Sequence, residues 1–547
     1  MASAFGERGW PLAVGAGFLL LTLAWLPTNP PAAAPDEPDH YVRALAVGRG
    51  DWLGRATDRS SMAPSNERQA AYLRETNREV SVPAGMAAPP SWFCTQAPDT
   101  SAACLGDQRA SGTTVQTTYE GTYLPFAYLP SGLLMRLAST PPPALLLGRA
   151  AIFVLCLPLL LAALAALWEP GSPLSLLGLL VAVTPTVVFS AAVLNPSGPE
   201  IAAAICLAAC LIRLWRDQGE TARGERDVDR PLIAAGGVAE ADGARVVGGG
   251  SPSGTSWEAG GASCPGWVWV AIAVAGFVLA VSRPLGVGWI VLQLAVFVAM
   301  AGVAALRSSG RRGAVAAVVV LLGCALSVGW QVFIQAHSAP SPGTVLGFVP
   351  QSLAQLPEVL GEAVGVFGWQ NVLMPRPLYL LGDGLLFLPF VVAVFRGSRR
   401  ELNVLDLLVV AVIGTSVLVS AAVQLPTGFD AQGRHLLPVI VLLPLWAGEV
   451  INRHRATMSA RGQAGLLLAV AAGVALIQVA GWWSNAHRWA VGPSGSWLFF
   501  LDARWQPAPG WGLWTPVAVL AAALPMVAAG AAWRSAAARA DVAQVPA

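Results

Sequence analysis

"YLPFAYLPSGLLMRL", Tyr123 to Leu137, decides how this chain is threaded. It is apolar enough to be taken for a membrane span, yet it is short and is interrupted by Pro125 and Pro130. A helix crossing about 30 Å of hydrocarbon needs roughly 20 apolar residues, and a proline inside a helix removes a backbone hydrogen bond. Counting the stretch as a span would also reverse the side on which every later arginine cluster falls. We therefore read it as a juxtamembrane or re-entrant element, where irregular backbone is tolerated if protein covers it.

The rest of the chain is threaded outward from that choice. Of its 547 residues, 55% are hydrophobic and 12% charged, about half the charged share of a soluble protein. The composition predicts an all-α polytopic membrane protein. Apolar segments able to cross as helices lie near 10–27, 144–167, 174–194, 197–215, 266–282, 285–306, 314–334, 378–395, 404–424, 436–451, 464–483 and 512–533, about twelve in all. The first, from Trp10 to Leu26, has a barely basic leader and no clean small-residue cleavage site after it, so it reads as a retained helix.

Orientation follows from arginine in the short connections. Arg307, Arg311 and Arg312, then Arg396, Arg399 and Arg400, then Arg453, Arg455 and Arg461, and finally Arg534 and Arg539 fall on one side. That side is cytoplasmic together with both termini. The chain then divides into a first transmembrane helix (1–27), a large extracytoplasmic loop with juxtamembrane helices (28–143), helices two to four (144–215), a cytoplasmic linker (216–265), helices five to twelve with their outer loops (266–533) and a cytoplasmic tail (534–547). The linker contains "VVGGGSPSGTSWEAGGAS", which cannot bury a core and reads as flexible. A further outer segment runs from His337 to about Pro377.

Several chemistries are excluded. A net charge of +2 gives no electrostatic case for nucleic acid. All 33 basic residues are arginine, which removes Schiff-base catalysis and leaves guanidinium forks, backbone N–H groups or a metal to hold any phosphate. No Cys/His zinc pattern, P-loop or nucleophile elbow occurs. Cys94 and Cys104, in "WFCTQAPDTSAACLGD", are spaced to close a small ring in an oxidising compartment.

The polar residues concentrate in "PDEPDHYVRALAVGRGDW", Pro35 to Trp52, just after the first span. Pro38 suits the first turn of a helix that Asp36 or Glu37 can cap. His40 lies one turn on, and Asp39 and Arg43, four apart, are placed to pair. A second acidic position, in "SAAVLNPSGPE", sets Asn195 and Glu200 at the outer end of the hairpin between the third and fourth spans. Two proline-bounded loops thus bring carboxylates to the water boundary of the membrane.

These residues carry a resemblance. "PDEPDHYVRALAVGRGDW" is similar to the first-loop signature of domain-of-unknown-function family 2142, bacterial multi-pass membrane proteins that resemble the GT-C glycosyltransferases. "NPSGPE" stands in the place of an Asn-Pro-Asp element, "VFGWQNVLMPRPLY" resembles a Gly-Trp and Pro segment, and "QGRHLLP" resembles a Gln-Gly-Arg-aromatic-Leu-Leu-Pro segment. One departure concerns the second element, where Ser197 stands in place of the acid and Glu200 follows three residues later.

The resemblance implies a GT-C-like fold and transfer of a sugar from a polyprenyl-phosphate donor to an envelope glycan or lipid acceptor at the extracytoplasmic face of a bacterial plasma membrane, with inversion at the anomeric carbon. Asp36 or Glu37 would be the base that takes the acceptor proton. Arg283, in "AVSRPLG", and Arg434, in "QGRHLLP" beside His435, would stabilise the leaving phosphate. Asp383 lies inside the eighth span, where an ionisable group is functional or paired, and an outer arginine is its expected partner. The cofactor is left open, a divalent metal ion being the candidate. The competing readings are a transporter or flippase of a lipid-linked precursor and a non-catalytic envelope-assembly protein on the same fold.

Overall fold

The computed structural model describes residues 2–60, 62–110, 112–228, 264–307, 309–335 and 343–542. Outside them lie 229–263 of the expected linker, 543–547 of the expected tail and the start of the outer segment at His337. The helices are α1 (Ala2–Thr28), α2 (Glu37–Val47), α3 (Glu67–Thr76), α4 (Pro125–Met135), α5 (Pro141–Leu167), α6 (Leu177–Ala182), α7 (Pro185–Ser190), α8 (Ser197–Val228), α9 (Gly266–Ser282) and α10 (Gly286–Ala301). They continue with α11 (Ala304–Arg307), α12 (Gly310–Gln335), α13 (Val349–Ala354), α14 (Leu356–Gly365), α15 (Arg376–Val394), α16 (Arg399–Thr427), α17 (Gly433–Ile440), α18 (Leu442–Arg453), α19 (Ala460–Val491) and α20 (Trp511–Val542).

Among the described residues, nine helical stretches are long and apolar enough to cross a membrane: Gly9–Thr28, Pro141–Leu167, Ser197–Gln218, Gly310–Ile334, Arg376–Val394, Arg399–Thr427, Gly433–Arg453, Ala460–Val491 and Trp511–Ser535. The protein is an all-α polytopic membrane protein. Three of the twelve expected spans fall short of that standard. Segments 266–282 and 286–301 are continuous apolar helices of 17 and 16 residues. The stretch 174–194 is broken into α6 and α7, because Pro185 pushes Thr184 out of helical backbone. The backbone groups freed there are met by protein: Gln478 of α19 donates to the carbonyl of Val183 at 2.7 Å.

Tyr123–Leu137 forms the 11-residue helix α4, too short to cross. It crosses α2 where glycine meets glycine, since a Cβ on Gly48 would lie 2.3 Å from the carbonyl carbon of Gly132. With α4 outside the count, Arg396, Arg400 and Arg455 lie at helix ends that contact other connections of the same expected face. Arg396 donates to the carbonyl of Thr457, Arg400 to that of Ala299, and Arg455 pairs with Glu169 at 2.6 Å. Segment 28–140 lies on the other face.

That segment holds a small sheet absent from the sequence reading: β1 (Arg55–Ala56), β2 (Arg78–Ser81) and β3 (Val115–Thr118), antiparallel, with Arg78 opposite Thr118 and Arg55 opposite Glu79. A disulfide joins Cys94 to Cys104. The sheet delivers the end of β3 to α2. Thr118 Oγ1 donates to the carbonyl of Asp39 at 3.0 Å, and the N–H of Tyr119 donates to the Asp39 carboxylate.

The position of α2 is set by a buried fork. Arg149, on α5, donates through Nε and Nη2 to the two oxygens of Glu37 at 2.7 and 2.6 Å. Its remaining hydrogens reach the carbonyls of Leu26, Asn29 and Pro30, groups that the end of α1 leaves without helical partners. Glu37 also accepts from the N–H of Leu194 at 3.0 Å. A buried pair this fully hydrogen-bonded holds, whereas losing one partner strands the other charge at a cost of about 3–5 kcal/mol. Arg149→Met is expected to lower thermal stability by that order, measured as loss of the folded fraction on heating in detergent. The double variant Glu37→Met/Arg149→Met, which strands no charge, should lose less than Arg149→Met alone.

Candidate functional site

Asp36 precedes the first turn of α2 with φ +62°, a left-handed conformation that costs energy for any residue but glycine. It is the N-terminal residue expected to cap the helix, and it does not do so: its side chain makes no capping bond. The left-handed backbone instead sends the carboxylate sideways, where Oδ2 accepts from Arg434 Nη2 at 2.7 Å and Oδ1 from the Tyr119 hydroxyl at 2.5 Å. The side chain keeps 21% of its surface open.

His40, one turn further along, is fully buried with its Nδ1 2.8 Å from the hydroxyl of Tyr128 on α4. Its Nε2 has no hydrogen-bond partner among the described residues. Glu120 follows β3 in a short 3-10 turn, Tyr119–Thr122, and is 2% exposed with Oε2 likewise unpartnered. One ligand atom each from Asp36, His40 and Glu120 lie within 4.8 Å of one another. These are the residues able to hold a metal.

Two arginines from distant helices complete the cluster. Arg434, at the start of α17, is held on Asp36. Arg283, between α9 and α10, lies 3.6 Å from Glu200, donates to Asn195 at 3.3 Å and sits 5.9 Å over the ring of Tyr123, which in turn faces His40. Glu200 accepts from the Trp289 indole at 3.2 Å. His435 stands beside Arg434, Nε2 to Nε at 3.4 Å.

Burial and neighbouring charge split the protonation states. Burial opposes ionisation of Asp36, but the guanidinium of Arg434 and the hydroxyl of Tyr119 outweigh it and hold the carboxyl below its ordinary range. Burial pushes His40 down to about 3, with Arg283 and Arg434 acting in the same direction, so the imidazole is neutral. Burial and then the charge of Asp36 raise Glu120 well above the carboxylate range. The same surroundings thus favour the ionised form of Asp36, the protonated form of Glu120 and the neutral form of the His40 imidazole.

The structure therefore joins Asp36, His40, Asn195, Glu200, Arg283, Arg434 and His435. It separates three expected residues from them. Glu37 is directed away, both oxygens committed to Arg149. Arg43 does not serve Asp39; it is buried and donates to the carbonyl of Tyr123 at 2.6 Å. Asp383, two turns into α15, lines a separate pocket of ≈ 340 Å³ with Glu362, Tyr379 and Asp430, and among the described residues no arginine reaches it. Glu362 connects the two places: it accepts from the Gly433 N–H at 2.6 Å, next to Arg434, and burial pushes it up to about 7.

Tyr119, Glu120, Tyr123, Tyr128, Arg149 and Glu362 were not singled out from sequence. A signal existed for most of them. Five of the chain's six tyrosines fall between Tyr41 and Tyr128, "TTYEGTY" sets an acid among them, and Arg149 is a lone charge inside an apolar run.

Residues 19–239 match the family described as predicted membrane protein (DUF2142). The match contains Asp36, His40, Glu120, Asn195 and Glu200, while Arg283, Arg434 and His435, which close the site, lie beyond it. The DUF2142 stretch thus supplies the acids and the imidazole. Comparison with curated proteins and with solved structures gives no match.

Opposite pH responses are expected from the two buried groups. The unfolded chain takes a proton on His40 near its ordinary 6.5, and the folded protein does not until about 3, so His40 costs stability as pH falls below 6.5. Burial makes Glu120 hold its proton more tightly when folded than in the unfolded chain, where it ionises near its ordinary 4.5, so it costs stability as pH rises above that value. In thermal scans between pH 5 and 8, wild type should lose ground to His40→Gln toward acid and to Glu120→Gln toward base.

Proposed function

We propose that the protein is an integral membrane glycosyltransferase, moving a sugar from a polyprenyl-phosphate donor to an envelope glycan or lipid acceptor at the extracytoplasmic face of a bacterial plasma membrane. The observation that carries the reading is the Asp36 carboxylate: partly open, oriented by Arg434 and Tyr119, pushed toward its ionised form by the Arg434 guanidinium, and set a short way beyond the end of a membrane-crossing helix.

In this reading the acceptor hydroxyl attacks the anomeric carbon as the bond from that carbon to the phosphate oxygen breaks. The electron pair leaves with the phosphate, and the hydroxyl proton passes to Asp36. One displacement inverts the centre. Asp36 takes this role in place of Glu37, whose oxygens are occupied and whose side chain is fully buried. Charge gathers on the phosphate in the transition state, so guanidinium groups at fixed positions favour that state over the ground state. Arg283 and Arg434 stand at the ends of helices, where in this reading a lipid-linked phosphate would meet them. The arginine clusters of the other face agree with a cytoplasmic side there. The pocket holding Glu362, Asp383 and Asp430 offers hydroxyl-binding groups to an acceptor sugar.

A deletion strain complemented with wild type, Asp36→Asn or Arg434→Met tests the assignment through its envelope glycans. Loss of a general base is expected to cost about 10²- to 10⁴-fold in rate, so both variants should fail to restore a glycan that wild type restores, at normal membrane abundance. Full restoration by Asp36→Asn would show that this carboxylate is not the base.

A further inference from the structure

We infer that Asp36, His40 and Glu120 form a binding site for one divalent first-row cation, Zn²⁺ or Mn²⁺. Three ligand atoms lie within 4.8 Å of one another, and they arrive by separate routes: the left-handed residue before α2, its first turn, and the 3-10 turn after β3. The docking of β3 on α2 through Thr118 and Asp39 fixes their spacing without using any of the three side chains' free atoms.

The case rests on the atoms left over. His40 is 0% exposed and Glu120 2%, and in each a polar atom, Nε2 and Oε2, has no hydrogen-bond partner among the described residues. Buried polar atoms are ordinarily paired, because leaving them unpaired forfeits the water they had when unfolded. Here the two residues that carry such atoms belong to one cluster, beside the carboxylate of Asp36. The protein also orients the imidazole for ligation: Tyr128 engages Nδ1 and leaves Nε2 available, the outer-shell arrangement that sets the tautomer of a ligating histidine. Asp36 already accepts two hydrogen bonds, and a carboxylate has about four lone-pair sites, so about two remain, one of which can take a cation.

Ligand type selects the ion. One imidazole nitrogen with two carboxylate oxygens suits Zn²⁺ or Mn²⁺ better than Ca²⁺ or Mg²⁺, which prefer oxygen alone. Three protein ligands leave at least one coordination position open. That position would take a phosphate oxygen of the donor, a role that rests on the glycosyl-transfer reading; binding of the ion does not.

The test uses full-length protein in nanodiscs, stripped with a chelator, dialysed, and given Mn²⁺ alone or Zn²⁺ alone. One equivalent should bind, with Mn²⁺ followed by electron paramagnetic resonance and Zn²⁺ by elemental analysis. His40→Gln and Glu120→Gln should each weaken binding by at least the roughly 10- to 100-fold that outer-shell changes cost, and Asp107→Asn, in an exposed loop, should not. Bound Mn²⁺ in wild type should show coupling to an imidazole nitrogen, a readout that needs no variant to fold. Absence of saturable binding of both ions, or bound Mn²⁺ without nitrogen coupling, overturns the site. Stoichiometric binding in a protein that transfers no sugar would sink the proposed function and leave the site standing.

Discussion

The fork between Arg149 and Glu37 is the constraint on which the site depends. It joins the end of α1, the start of α2, the first turns of α5 and the turn before α8 through one guanidinium and one carboxylate. A charge this deep beside hydrocarbon is costly unless every donor is used, and here the carbonyls that α1 cannot satisfy are the ones supplied. The same geometry explains why adjacent acids differ in role. Glu37 faces the helix ends and is consumed by them, while Asp36, turned over by its left-handed backbone, faces Arg434 and Tyr119.

Electrostatics within the site follow a pattern of near-neutral pairs. Arg434 sits on Asp36 and Arg283 on Glu200, so two guanidinium groups are held beneath the surface without large uncompensated charge. Glu120 meets the same constraint in another way, by keeping its proton. A site arranged like this can accept an added ion or phosphate by shifting a proton or a partner, which a fully satisfied network could not do as readily.

Much of this was legible in the sequence because the bilayer makes composition and arginine placement decisive. The non-spanning nature of Tyr123–Leu137 came from two prolines and from parity, and the pairing of Asp36 with Arg434 across 398 positions was approached through two short motifs. What was missed has a physical cause. Spacing along α2 suggested an Asp39–Arg43 pair, but tertiary contacts from β3 and Tyr123 captured both side chains. The small sheet carries no long alternating pattern, so Glu120 could not be placed. The break at Thr184 looked like a span because every residue of α6 and α7 is buried in protein, and burial in protein reads like burial in lipid.

That break bears on how the chain is made. The carbonyl of Val183 is satisfied by Gln478, which is synthesised 295 residues later. Until α19 arrives, the nascent hairpin would expose an unpaired peptide group to hydrocarbon, a state the bilayer penalises. Biogenesis must therefore shelter this segment, in the translocation machinery or at the headgroup layer, and a chain cut before α19 would lack the side chain that lets it settle.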